Sequence, residues 1–482
     1  MKYRVLTNTL KSKNIMSNKI MFLFALFTFN FLLSTFNCRA QLISYNGTSY
    51  YINGLNVPWN NYNLDFGTDK LVGVNKYDST AFENILTQCE TYGVNCVRIW
   101  VHTLGSASPD FDTAGNVTGL DSAFFPNLDD FMNRALKHNI MVIPAIWDFN
   151  MVNTDTAAWG PDGGLHANLI EDSAMTRGYI NNAFIPIIEH YANQCNLLAY
   201  DLINEPEWAM NIPFAGNTSQ VVAAGDMQRF VGMLAEAVHQ HSSKMCTVGS
   251  ACLRYNSDEF SVTTPCSGNY WKDAAIQSAY NKPLARLDFY EIHYYDWMDN
   301  TVYYFDPYKS WSTTSYWELD KPTLIGESQG NSANHTTSDE LYNGFIHNWA
   351  GVLFWSFTAS ADSMGCFSDF NNALLTFRNT DPGLINFNTA VCNTTNIKQA
   401  STKNPLNIYP NPAIDNLQIE INSEARSQNL ELRLFDVVGN LILETRLVNK
   451  MINLDLSNFS NGVYIVKVNT EEGMEVKKFI KE

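Results

Sequence analysis

Two glutamates stand where apolar runs end. YDLINEPEW (200–208) is built from Leu, Ile and Tyr until Asn204, Glu205 and Pro206, and PTLIGE (322–327) stops on Glu327. Two carboxyl groups brought together from separate segments can divide acid and nucleophile duties, one protonated to help an oxygen leave and one ionised to attack. Other runs offer supporting groups. NCVRIWV (95–101) carries Arg98 and Trp100, IMVIPAIWD (140–148) ends in Trp147 and Asp148, and GVLFWSF (351–357) carries Trp355. FYEIHYYD (289–296) places His293 and Tyr295 two apart, hence on one face of a strand.

This set suits glycoside hydrolysis. Arg98 beside Glu327 would favour its charged form, and Tyr295 would orient it. An apolar wall and the neighbouring negative charge would raise Glu205, so that it donates a proton near neutral pH. Asn204 would hold a sugar 2-hydroxyl, and Trp355, Trp100 and Trp147 offer flat apolar faces to sugar rings. Glu207 lies beyond its run and Asp201 has no evident partner, so both read as ordinary acids. In a retaining enzyme the two carboxyl groups should stand about 5–5.5 Å apart, and further in an inverting one.

The elements that position these groups follow from pattern. Eight short runs between about residues 50 and 357 are apolar, several on both faces, as parallel strands covered by helices are. Amphipathic stretches alternate with them: 79–93, capped by Ser79 or Thr80 and closed by Gly93, then 125–139, 175–194 with a kink at Pro186, and 226–241. The expected fold is a (β/α)8 TIM barrel with its site at the strand C-termini. An open doubly wound sheet is disfavoured, because no Gly-rich phosphate loop follows an early strand. After a polar stretch at 393–404, short alternating strands with no helical period read as a small all-β sandwich over 405–482.

The 482-residue chain is 13% aromatic with a formal net charge of −17, and its first 40 residues hold six basic groups and no acid. The acidic body argues against nucleic acid and anionic membrane as partners. Residues 1–40, with an apolar core before a small residue at the cut, read as a signal peptide, with Met16 a possible true start. The catalytic barrel is then 41–392. Of the cysteines after the signal, Cys252 and Cys266 are the preferred disulfide pair. DFDTAG (110–115) begins like a calcium loop but has Ala114 at its fifth position, so it reads as a turn. No metal and no cofactor are expected, and the chain is expected to act as a monomer.

Taken in order, RIW, INEP, IHYY, IGE and FWSF resemble glycoside hydrolase family 5 over about residues 45–365. The resemblance implies a retaining (β/α)8 glycosidase with Glu205 as acid/base and Glu327 as nucleophile. It also places Arg98, Asn204, His293, Tyr295 and Trp355 around the cleft. Trp147-Asp148, where many cellulases have histidine, and Arg98-Ile99-Trp100 look more like the mannanase branch. The resulting expectation is a secreted endo-β-1,4-glycosidase acting on β-mannan. The alternatives are an endo-β-1,4-glucanase or a non-catalytic surface glycan-binding protein.

IYPNPAIDNLQIEI, LFDVVGN and LSNFSNGVYIVKV resemble the type A sorting domain of the type IX secretion system over about 406–482. That implies the secretion machinery as a partner, then release or attachment at the cell surface. A carbohydrate-binding β-sandwich is the competing reading of this segment.

Overall fold

The computed structural model describes residues 41–154, 166–259, 268–299, 303, 305–358, 362–389, 392, 406–421, 429–436, 440–448, 451–470 and 473–482. The expected signal segment 1–40, the expected linker 393–404 and Cys266 lie outside the described residues. The chain divides into two compact units between Cys392 and Asn393.

In the first unit eight parallel strands close a barrel: β1 (Ile52–Val57), β2 (Cys96–Thr103), β3 (Met141–Asp148), β4 (Ala199–Asn204), β5 (Met245–Ser250), β6 (Tyr290–Tyr294), β7 (Thr323–Gln329) and β8 (Gly351–Trp355). Each pairs with the next, and β8 pairs with β1 through Gly351–Phe354 and Ile52–Leu55. The strands are buried almost throughout, which is why their sequences are apolar on both faces.

Helices α1 (Ser79–Thr91), α2 (Phe124–Lys137), α3 (Ser173–Tyr179), α4 (Ile185–His190), α5 (Ala224–His241), α6 (Asp273–Ala279), α7 (Thr337–Ile346) and α8 (Phe367–Thr380) belong to the same unit. Asp78, rather than Ser79 or Thr80, caps α1, its carboxylate accepting from the N–H groups of Thr80 and Ala81. Gly93, at φ +79°, ends that segment as expected. The kink expected at Pro186 is a π turn, Ile180–Phe184, between α3 and α4, with Pro186 in the first turn of α4 where a missing N–H costs least. Among the described residues no α-helix joins β6 to β7. The connecting chain instead packs beside α7, with Pro307 O accepting from Trp349 Nε1 at 3.0 Å.

DFDTAG forms a turn, as expected, with Asp112 Oδ1 accepting from the N–H groups of Ala114 and Asn116. The disulfide found joins Cys195 to Cys392, 197 residues apart. A loop of that size gives a stabilisation of about 5 kcal/mol in the chain-entropy model. Among the described residues Cys252 has no disulfide partner.

The second unit is all-β and antiparallel. Its seven strands are β9 (Leu406–Tyr409), β10 (Asn416–Ile421), β11 (Asn429–Asp436), β12 (Leu441–Val448), β13 (Met451–Asp455), β14 (Gly462–Thr470) and β15 (Gly473–Lys481). They run β9-β10-β13-β12-β11-β14-β15 across one sheet. Alternate residues Leu417 and Ile419, Leu432 and Leu434, and Val466 and Val468 point into its core with Phe479. The stretch between β9 and β10 reaches the far edge, where Ala413 N–H donates to Ile480 O at 2.8 Å.

Candidate active site

Arg98 stands at the centre of the barrel, fully buried. Its Nη1 donates to Glu327 Oε1 at 2.9 Å and to Asn56 Oδ1 at 3.2 Å. Its Nη2 donates to Asp201 Oδ2 at 2.6 Å and Asn204 Oδ1 at 2.7 Å. The planar fork thus ties β2 to β1, β4 and β7 at once. Asp201, which sequence reasoning left without a partner, is therefore corrected: it holds Arg98 and also accepts from Gly249 N–H at 2.8 Å. Gly249 is needed there, since a Cβ would come within 2.5 Å of Arg98 Nη2.

Glu205 leaves β4 in the left-handed region, φ +46° and ψ +46°. Pro206 disfavours helical conformations in the residue before it, so this geometry carries local strain of about 1–3 kcal/mol. It is held by the Glu205 N–H, which donates to Gly249 O at 2.6 Å. The turn aims the side chain across the cleft, where Oε2 accepts from Trp208 Nε1 at 2.9 Å and Oε1 meets His293 Nδ1 at 2.8 Å. Glu327 approaches the same ring nitrogen, with Oε2 at 3.5 Å, and accepts from Tyr295 Oη at 2.5 Å. One oxygen from each glutamate and the His293 nitrogen all lie within 4.8 Å of one another.

The two carboxyl groups are set apart electrostatically. Burial, reinforced by Asp148, pushes Glu205 up to about 8. Burial and the charge of Glu205 raise Glu327, while His293, Arg98 and the Tyr295 hydroxyl pull it back. Arg98 is where the sequence placed it, yet its charge does not bring Glu327 below the usual range, because burial outweighs it. The two carboxyls differ in their partners: Arg98 and Tyr295 donate directly to Glu327, whereas Glu205 accepts from Trp208 and feels the charge of Asp148. Burial pushes His293 down to about 4, so the imidazole between them is neutral at working pH.

The cleft is a cavity of about 310 Å³. Trp100, Asn204, Glu205, Tyr295, Glu327 and Trp355 line it; Arg98 and His293 lie directly beneath. Trp147 does not line it. It is fully buried on the outer side of β3 against His102 and Tyr179, with ring centroids 5.0 and 5.3 Å away. The next residue, Asp148, faces inward instead, as strand alternation requires. Its Oδ2 accepts from Asn204 Nδ2 at 2.8 Å and Trp100 Nε1 at 3.3 Å. Asn204 is thereby fixed between Arg98 and Asp148. Trp59, at the end of the first apolar run, was missed; its ring centroid lies 6.2 Å from Trp100 and 6.3 Å from Trp355. Trp208, immediately after INEPE, and Trp297 line the cleft as well. Both Trp59 and Trp208 follow strand ends, a signal available in the sequence.

Glu207 is not a loop acid. It is fully buried outside the cleft and accepts from Ser250 Oγ at 2.6 Å, Ala251 N–H at 2.9 Å and Trp271 Nε1 at 2.6 Å. It staples the turn that carries Glu205 to the end of β5. Removing it strands three buried donors, so Glu207→Ala is expected to cost about 3 kcal/mol of stability in urea denaturation. An unchanged midpoint would show that the staple contributes nothing.

Residues 407–482 match the family model described as "Secretion system C-terminal sorting domain". The chain is similar to the mannan endo-1,4-beta-mannosidase of Mytilus edulis, 27% identical over 351 residues, covering 68% of this chain and 90% of that protein. It is similar to the enzyme of the same name from Cryptopygus antarcticus, at 26% over 348 residues, covering 67% and 85%. The X-ray structure of the Mytilus edulis β-mannanase superposes with a TM-score of 0.61 at 25% identity, over 72% of this chain and 97% of that one. The resemblance drawn from the sequence motifs is met in both units, and the C-terminal unit marks the chain for export.

Proposed function

We propose that this glycoside hydrolase is a retaining endo-β-1,4-mannanase. Glu327 attacks the anomeric carbon, and Glu205 first protonates the departing oxygen, then deprotonates the water that releases the sugar. The observation that carries this reading is the convergence of the pair, each member with different partners. Two carboxyl groups from β4 and β7 converge on His293 Nδ1, with oxygens within 4.8 Å. So close an approach accords with direct attack on the sugar, for which the carboxyl groups stand about 5–5.5 Å apart. Glu327 is backed by Arg98 and Tyr295, while burial and Asp148 hold the Glu205 proton up to about 8.

The chemistry then follows in two displacements. Ionised Glu327 forms the bond to the anomeric carbon as the glycosidic bond breaks, and the leaving oxygen takes the Glu205 proton. Glu205, now a base, removes a proton from water, which breaks the Glu327 ester with a second inversion. Asn204, clamped by Arg98 and Asp148, lines the cleft and is suited to hold the sugar 2-hydroxyl. Trp355 offers an apolar face to the ring. β-Mannan as substrate is supported by the names of the relatives, whose length this chain largely covers.

A reducing-sugar assay on mannan, glucomannan, carboxymethyl cellulose and xylan tests the substrate class. Release from mannan with a rapid fall in viscosity is expected; hydrolysis of the cellulose derivative with mannan untouched would replace the reading with a glucanase. The pH profile of kcat/KM tests the division of roles. As pH rises through about 8, Glu205 loses its proton and the acid is lost. As pH falls, Glu327 takes one up and the nucleophile is lost, at a pH above that of an ordinary glutamate. A rate that stays flat well beyond pH 8 would mean that Glu205 is not the acid.

A further inference from the structure

Arg98 carries one positive charge and faces three buried carboxyl groups. Asp201 on β4 accepts from Nη2 at 2.6 Å and Nε at 3.1 Å, and Glu327 on β7 accepts from Nη1 at 2.9 Å. The third is Glu291 on β6, fully buried, whose Oε1 lies 2.8 Å from Arg98 Nε. The single Nε–H is directed at Asp201, and neither Glu291 oxygen has a hydrogen-bond partner among the described residues. Glu291 lies on the same strand face as His293 and Tyr295, directly below them. Gly326 of β7 makes its space, since a Cβ there would come within 2.2 Å of Glu291 Oε1.

The charged and titratable groups that act with this carboxyl are Arg98 and the Cys96 thiol of β2, Asp201 of β4 and Glu327 of β7, and Gly249 of β5 is its register partner. Arg98 is the one cation drawing on Glu291 among the described residues. Asp201 and Glu327 already exceed its charge. A third carboxylate would be an uncompensated charge in the barrel interior. It would also divide the guanidinium that Glu327 needs.

We propose that Glu291 is a positioning residue that stays a neutral carboxylic acid under Arg98, filling the barrel centre while leaving the guanidinium to Asp201 and Glu327. Its catalytic meaning rests on the proposed roles of Glu205 and Glu327, but its protonation does not. Burial, against the pull of Arg98 and with the push of Asp201 and Glu327, raises it to about 8. The folded chain therefore keeps a proton that the unfolded chain gives up at ordinary glutamate pH. Stability from this group is present at low pH and is lost as pH rises toward about 8.

Glu291→Gln copies the neutral acid and removes that titration. Urea midpoints of the two proteins, taken from pH 5 to 8.5, are expected to nearly coincide at pH 5. By pH 8 the variant's folding equilibrium should exceed wild type by on the order of tenfold or more. A variant that is less stable, with a gap widening as pH rises, would show an ionised Glu291 paired with Arg98 and overturn the proposal; so would equal midpoints throughout, or failure of the variant to fold. A kinetic readout addresses positioning. The alkaline limb of kcat/KM should fall over two ionisations in wild type and one in Glu291→Gln, and an unchanged slope overturns that role. The urea series needs no substrate, so inactivity on mannan would leave it standing.

Discussion

Glu327→Gln should lower kcat on mannan by about ten-thousandfold or more, equivalent to about 5.5 kcal/mol of transition-state stabilisation. The loss should be as deep on an aryl β-mannobioside whose phenolate leaves easily. A better leaving group relieves the need for an acid but does not replace the attacking carboxylate. Glu327 is the carboxyl that Arg98 and Tyr295 address directly, at 2.9 and 2.5 Å. Glutamine keeps the shape and an oxygen for Arg98, so the variant should unfold at nearly the wild-type temperature. Substantial turnover of the activated substrate by a folded variant would remove Glu327 from the role.

Glu205→Gln should behave differently on the two substrates. On mannan the loss is expected to be about a thousandfold or more, since an alkoxide must leave without a proton and water must attack without a base. On a dinitrophenyl β-mannobioside the first displacement should run at close to the wild-type rate. The second should then limit turnover, seen as a burst of phenolate followed by a slow phase. Azide, which needs no base to attack, should speed that slow phase and yield a β-glycosyl azide. The expectation rests on the placement of Glu205 against Trp208 and His293, at 2.9 and 2.8 Å, with its proton held up to about 8. Equal losses on both substrates would deny the separate roles.

The barrel was legible because several runs are apolar on both faces, and the proposed catalytic pair because both glutamates end apolar runs. What escaped was mostly parity and distance. Trp147 and Asp148 are adjacent, so the sequence offers two candidates pointing opposite ways, and only the register of β3 selects Asp148. Asp201 and Asn204 are three apart and should face opposite sides, but the register of β4 against β5 shifts between them and both reach Arg98. Glu207 follows Glu205 by two residues inside a short 3-10 turn, which swings it under β5 and out of the cleft. Glu291 was open to discovery, since it precedes His293 and Tyr295 on one strand face. The Cys195–Cys392 bridge spans too much chain for local pattern to announce it.

In the proposed mechanism Glu327 becomes covalently bonded to the sugar. The direct test is to incubate the protein with a dinitrophenyl 2-deoxy-2-fluoro-β-mannobioside, whose fluorine slows both displacements while the leaving group restores the first. Intact mass spectrometry followed by peptide sequencing then locates any adduct. One fluoroglycosyl group per chain, on the peptide bearing Glu327, is the predicted result. An adduct on Glu205 or elsewhere would exclude Glu327 as the nucleophile, as would no adduct together with hydrolysis of mannan by inversion at the anomeric carbon.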